Sequence, residues 1–349
     1  MDLDEARARK AAILGAAAGA FRPSAAEPGS TRPDVYVGIV PSDRPDGYRL
    51  AVRLTGDGPD EPTERIEAAR TGAGADADVR YVGRIFALST DPDGPADDGD
   101  DPTPTELQQR IRPLVRGSSV AHLDVTAGTI GAFVTVAGAD GVHVLSNNHV
   151  LAASDEGQAG DAVLQPGPAD GGGPDDRIGA LAAAVALDPS GPNLVDAALA
   201  KVDVGVEVDP AAHDGPVTVV IAPDTVRGRV RKIGRTTGVT RGQISAFEVD
   251  GLPVGYGTGV FTFDDQIEIE GVVGLFSAGG DSGSLITTET ERLGVGLLFA
   301  GSTTGGPGGT GVTYANPLGA VLDALGATLA GGLTEPVEPT EPVEPTEPA

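Results

Sequence analysis

A mainly β, barrel-type body closed by a helix and preceded by a small α/β unit is the architecture this sequence predicts, on three observations. The 349 residues hold 52 glycines and 28 prolines but no tryptophan, so turns are plentiful and aliphatic side chains must fill the interior. Strand-length apolar runs recur between glycine turns at 130–136, 142–146, 197–202, 217–221, 243–247, 266–269, 284–287 and 294–299. Beyond them, residues 317–329 carry Leu318, Val321, Leu322 and Leu325 at helical spacing, which closes a barrel-type body with a helix.

The chain divides by composition. Residues 1–33 read as a helical arm, alanine-rich over 3–20, followed by a Pro, Gly and Ser linker. Residues 34–90 form a small α/β domain: 35–40 and 48–54 read as strands, 63–70 as a helix with Ile66 and Ala69 three apart, and 79–85 as a strand. Residues 91–105 are an acidic Asp, Gly and Pro stretch, too polar to pack and typical of a linker. The body occupies 106–332, and residues 333–349 repeat Glu-Pro-Val and Glu-Pro-Thr, a disordered, extended tail.

Composition also limits the function classes. The formal charge is −27 and the only lysines are Lys10, Lys201 and Lys232, so the surface repels a polyanion and nucleic acid is not an expected partner. Without cysteine, neither disulfides nor thiolate metal sites can form. The acidic start and the short, alanine-rich stretch at 11–21 predict neither a signal peptide nor a membrane span, and a cytoplasmic location is expected. No His, Asp and Glu cluster has metal-ligand spacing, and residues 301–311 lack the Lys-Ser/Thr ending of a phosphate loop, so no cofactor is expected.

Three short motifs carry the chemistry. In chain order they are Ser146-Asn147-Asn148-His149-Val150, Asp196-Ala197-Ala198-Leu199 and Gly280-Asp281-Ser282-Gly283-Ser284. A serine hydroxyl is a poor nucleophile at neutral pH. It needs an imidazole to take its proton and a carboxylate to hold the imidazole tautomer and stabilise the imidazolium. His122, His143 and His213 compete for the base, but none lies in such a motif, and His143 reads as a surface or rim residue of its strand. Asp188 and Asp203 compete for the carboxylate from turn or solvent-facing contexts. Ser284 breaks the Gly-x-Ser-x-Gly elbow of the α/β-hydrolases.

These motifs make residues 128–316 resemble the chymotrypsin-like (trypsin-like) serine peptidases, particularly disulfide-free bacterial members. The order His, Asp, Ser is theirs, whereas subtilisins and α/β-hydrolases order the three differently. The resemblance implies a double β-barrel, with His149 as general base, Asp196 as its orienting carboxylate and Ser282 as nucleophile. It also implies an oxyanion hole from the amides of Gly280 and Ser282. The segment Lys232-Ile233-Gly234-Arg235-Thr236-Thr237-Gly238 is similar to one whose basic residue neutralises the aspartate before the nucleophile, which pairs Lys232 with Asp281. By the same analogy Phe276 lies at the base of the substrate pocket, which favours an apolar or small side chain before the cut; read by itself it is equally a core residue. Phe299-Ala300-Gly301 resembles the strand that pairs with substrate backbone.

Two functions of different class follow. One is a serine endopeptidase acting on peptide or protein substrates through an acyl-enzyme. The other is a catalytically silent, trypsin-like peptide-binding or regulatory protein. Residues 34–90 read either as an assisting or inhibitory pro-domain, from their place before the body, or as a module that recruits a regulatory partner.

Overall fold

The computed structural model describes residues 1–18, 35–42, 47–55, 64–87, 101–302 and 304–331. The Glu-Pro tail, and residues 91–100 of the acidic stretch, lie outside these. The body is a pair of β systems. The first is a curled antiparallel sheet of eight strands, in the order Ala327–Leu329, Ala132–Val136, His143–Ser146, Ala198–Val202, Arg177–Ala184, Ala162–Leu164, Ser119–His122 and Gly128–Thr129. The second closes on itself through six strands: Val230–Gly234, Gly238–Asp250, Gln266–Gly271, Thr313–Pro317, Gly294–Ser302, Leu285–Thr288 and back to Val230–Gly234. Closure leaves these six without free inner edges.

The two systems share a seam. Ala132, Val134, Leu145 and Leu199 of the first pack with Leu285 and Leu297 of the second. The helix Leu318–Leu325 drives Leu318 and Val321 into the same cluster. Its apolar face predicts this placement, but the helix stops before residue 329. Gly326 turns left-handed at φ 59°, and Ala327–Leu329 returns as a strand beside Ala132–Val136.

Other departures from the expected elements have local causes. The run at 217–221 makes only a single bridge, Val220 to Gly294, and is flanked by Pro216 and Pro223, which lack the N–H a ladder requires. The hairpin Leu252–Tyr256 with Gly259–Phe263 was not anticipated. The strand expected over 79–85 is two strands, Asp78–Tyr81 and Ile85–Ala87, because Gly83 between them sits at φ 69°.

The N-terminal elements are built onto the closed barrel. Val35–Pro41 pairs antiparallel with Gly238–Asp250, Tyr48–Leu54 pairs with Val35–Pro41, and Asp78–Tyr81 follows in parallel. The helices Leu3–Ala18 and Glu64–Ala73 cover this sheet: Ala6 and Ala69 share one core with Val37, Leu50, Val52 and the barrel's Phe247. The alanine-rich helix is therefore part of this packing and not a separate arm. Of the acidic stretch, Asp101 pairs with Arg231 and Arg241, each at 3.4 Å, and Thr103 caps the short helix Pro104–Leu107. Among the described residues no helix is long and apolar enough to cross a membrane.

Several ion pairs tie this unit to the barrel, among them Lys10 to Asp250 at 2.7 Å and the fully buried Arg53 to Glu268. Arg53 of Tyr48–Leu54 reaches Glu268 of Gln266–Gly271 through Nε at 2.9 Å and Nη2 at 2.8 Å, with both residues buried. Ser245 Oγ (2.8 Å) and Tyr314 Oη (3.2 Å) also donate to Glu268. Breaking such a pair from one side strands a buried charge. Arg53→Ala is expected to destabilise the chain by about 3–5 kcal/mol, measured by denaturant unfolding, with a smaller loss in the double variant Arg53→Met/Glu268→Leu.

Candidate active site

Strand pairing brings the expected base and carboxylate together. Ala198 lies opposite Ser146, so Asp196, two residues before one strand, and His149, three residues after the other, leave from adjacent strand ends. His149 rides on the short helix Asn148–Leu151, held by the buried Val150 and Leu151. Its Nδ1 lies 2.5 Å from Asp196 Oδ2, and its backbone N–H donates to Oδ1 at 3.2 Å. Asp196 is fully buried, and its backbone is fixed on both sides. Its N–H donates to Asn316 Oδ1 at 3.0 Å, and Asn147 Nδ2 donates to its carbonyl at 2.7 Å. Asn316 Nδ2 is in turn bonded to Gln266 Oε1 at 2.7 Å. With Nδ1–H donating to a carboxylate, the second ring nitrogen is left as proton acceptor. His149 Nε2 is buried and has no hydrogen-bond partner among the described residues.

The serine turn depends on glycine. Gly280 and Gly283 sit at φ 93° and 91°, and a Cβ would lie 2.5 Å from Thr236 Oγ1 at the first and 2.0 Å from Ser146 Oγ at the second. Thr129 clamps the turn: its N–H donates to the Ser282 carbonyl at 2.8 Å and its Oγ1 to the Gly280 carbonyl at 2.9 Å. A Cβ on Gly128 would meet both Val150 and the Ser282 carbonyl, so the Ser282 turn and the His149 helix pack across one glycine. Ser282 is fully buried, and its Oγ lies 3.4 Å from the Phe299 carbonyl. No hydrogen bond joins it to His149 Nε2 in this state. Such bonds are often long until substrate is bound.

Asp281 points away from the cleft into a buried nest. Lys232 Nζ lies 3.1 Å from its Oδ2, with both side chains wholly buried. Thr237 Oγ1 (2.7 Å) and Ala278 N (3.0 Å) reach the same oxygen, and Thr236 N (2.9 Å) reaches Oδ1. Burial pushes the Lys232 ammonium below its usual range, with Asp281 opposing that shift. These donors hold the peptide before Ser282, and with it the amides of Gly280 and Ser282, in a fixed frame.

The pocket residues divide. Phe299 is buried against Phe263 at 4.8 Å, and Gly301 pairs with Phe86 on the same strand. Phe276 departs from its expected place. It is 2 % exposed within the barrel core, among Val230, Ile269, Ile286 and Leu298, where its ring fills the space over Gly242. The excluded histidines lie elsewhere: His122 bonds Asp161 at 3.1 Å, and the His213 carbonyl accepts from Arg116 at 2.6 Å. His143 is buried in its strand, not at a rim. Asp203 pairs with Arg177 at 2.9 Å, and Asp188 accepts from the Ser190 amide at 2.7 Å. Sequence reasoning missed Thr129, Asn316 and Tyr256, whose hydroxyl donates to Asp196 Oδ2 at 2.8 Å. Nothing local in the sequence marks them. Among the described residues no group of three or more His, Asp or Glu side chains is placed to hold a metal ion.

Similar solved structures cover 62 % of the chain at 20 % identity. They include Thermobifida fusca Protease A (TM-score 0.42, 98 % of that chain), a glutamic acid specific serine protease (0.42, 100 %) and Cellulomonas bogoriensis chymotrypsin (0.41, 97 %). No protein-family model matches the chain, and no curated protein matches it. The closed six-stranded barrel and the curled eight-stranded sheet are established by the strand pairing described above.

Two outcomes are expected. Lys232→Met leaves the Asp281 carboxylate buried beside an apolar chain and should lower stability by about 3–5 kcal/mol in denaturant unfolding, whereas Lys232→Arg should lose less. Burial first, then the Lys201 charge, lowers the basicity of His143. Below the ordinary histidine range the unfolded chain therefore binds a proton that the native chain does not. Stability contributed by this group is present at neutral pH and falls on acidification. His143→Leu should flatten that acid-side fall in a Tm-against-pH series.

Proposed function

We propose that the chain is a serine endopeptidase held closed by its own N-terminal unit. The observation that carries the catalytic reading is the contact at 2.5 Å between the buried Asp196 and the partly buried His149. It leaves His149 Nε2 unpartnered beside a glycine-flanked serine turn. In the proposed reaction Ser282 Oγ attacks the scissile carbonyl as His149 Nε2 takes its proton, while Asp196 stabilises the imidazolium. The oxyanion is received by the amides of Gly280 and Ser282, the imidazolium protonates the leaving amine, and water then cleaves the acyl-enzyme by the same steps.

The closed state rests on Ile85–Ala87. This strand pairs antiparallel with the end of Gly294–Ser302, with Ala87 opposite Ala300, Phe86 opposite Gly301 and Ile85 opposite Ser302. On its other side it runs parallel to Leu252–Tyr256, Phe86 lying opposite Gly255. An extended peptide adding to a sheet edge is a common recognition mode. Here the strand expected to receive substrate backbone is already paired, and Ser282 beneath it is fully buried. This favours intramolecular inhibition over recruitment of a separate partner by residues 34–90.

A fluorophosphonate probe tests both parts. The intact chain should label slowly. Phe86→Pro removes a ladder donor at an exposed side chain and should label at least about tenfold faster, the equivalent of one lost backbone hydrogen bond. Ser282→Ala should abolish labelling in either background. If neither form labels, the catalytically silent reading stands; equal, fast labelling of both would remove the closed state and leave the enzyme.

A further inference from the structure

We infer that Tyr256 is a positioning residue of the catalytic centre, supplying the hydroxyl that holds the Asp196 carboxylate in register with His149. This deepens the peptidase reading and rests on it for its meaning, though its test does not require turnover. Tyr256 ends the strand Leu252–Tyr256, on the hairpin joined to the closed barrel and far in sequence from both partners. Its Oη lies 2.8 Å from Asp196 Oδ2, the same oxygen that receives His149 Nδ1 at 2.5 Å. Its ring also meets the imidazole edge to face, with centroids 5.8 Å apart. Phe261 at 5.2 Å and Phe263 at 6.2 Å fix the ring from the other side. One side chain thus contacts both members of the pair, and its own rotation is blocked by two aromatics.

The chemistry of this contact is directional. Burial first, and then Asp196, raise the Tyr256 phenol well above its usual range, so it stays neutral and donates. A donor on Oδ2 spreads the carboxylate charge, which makes that oxygen a weaker acceptor for the imidazolium. The other charged group facing this cluster is Asp155, whose carboxylate is held by Asn148 Nδ2 at 2.6 Å and the Leu187 N–H at 2.8 Å. It lies near the phenol without replacing it at Oδ2. Removing the Tyr256 hydroxyl leaves Oδ2 with His149 as its remaining side-chain donor and strengthens its hold on the protonated ring.

The test is the titration of the His149 ring, followed by NMR of imidazole nitrogens in the full chain. Tyr256→Phe should raise the His149 pKa by about one unit, the size of one lost hydrogen bond to a charged group. Replacing Tyr256 with 3-fluorotyrosine, nearly isosteric and a stronger donor, should move it the opposite way. Where the closed state has been opened and hydrolysis is measurable, the acid limb of kcat/KM should follow the same direction. A His149 pKa unchanged in the fluorotyrosine protein overturns the inference, even if Tyr256→Phe loses stability, because a purely structural ring would not respond to donor strength. Absence of labelling by the fluorophosphonate probe, with these shifts present, would overturn the peptidase reading and leave the positioning role intact.

Discussion

The strand Gly294–Ser302 is the constraint on which the rest of the structure depends. Its inner part closes the second barrel between Leu285–Thr288 and Thr313–Pro317. Its backbone also fixes the Ser282 turn: Gly283 N donates to the Leu298 carbonyl at 2.8 Å, and Leu298 N donates to the Ser284 carbonyl at 3.0 Å. The Phe299 carbonyl lies beside Ser282 Oγ, and the outer end, Ala300 to Ser302, carries Ile85–Ala87. A buried strand must place every N–H and C=O somewhere. Barrel closure, serine placement and the docking of Ile85–Ala87 are three uses of one row of backbone groups.

Polar side chains do at the seam what aliphatic packing does elsewhere. Asp196, Asp281, Asn147, Asn316 and Lys232 are all buried, and each is hydrogen-bonded within the protein. Leaving any of them unpaired would carry the full desolvation penalty, so the network is fixed as a unit. Among the described residues His149 Nε2, like Asn147 Oδ1, is buried without a partner. A ring nitrogen left open while a carboxylate holds the other one has the property that a general base requires.

Much of this was legible in the sequence, for physical reasons. Short alternating or apolar runs between glycines marked most barrel strands, and glycines flanking Ser282 marked a turn that needs φ near 90°. Lys232 and Asp281 are only 3.1 Å apart although 49 positions separate them, and the motif containing Lys232 pointed to that pairing. What was hidden depends on tertiary placement. Phe276 carries no sign of whether it faces a cleft or a core, and the aliphatic shell around it decides for the core. Tyr256 sits on a hairpin whose relation to Asp196 arises only when the two β systems meet. The split of 79–85 at Gly83, which sends Ile85–Ala87 to the barrel edge, was masked by the strand-like alternation of Val79, Tyr81 and Ile85 with Arg80 and Arg84.

The central claim is that Ile85–Ala87 and a bound substrate compete for the same backbone edge. Amide hydrogen exchange of residues 85–87 and 299–302 tests it most directly, in the intact chain and after Ser282 is capped by a peptidyl phosphonate extended on its N-terminal side. Slow exchange over both segments in the intact chain, with protection lost at 85–87 and retained at 299–302 after capping, is the result predicted here. Rapid exchange at 85–87 before capping, or undiminished protection there afterwards, would contradict it.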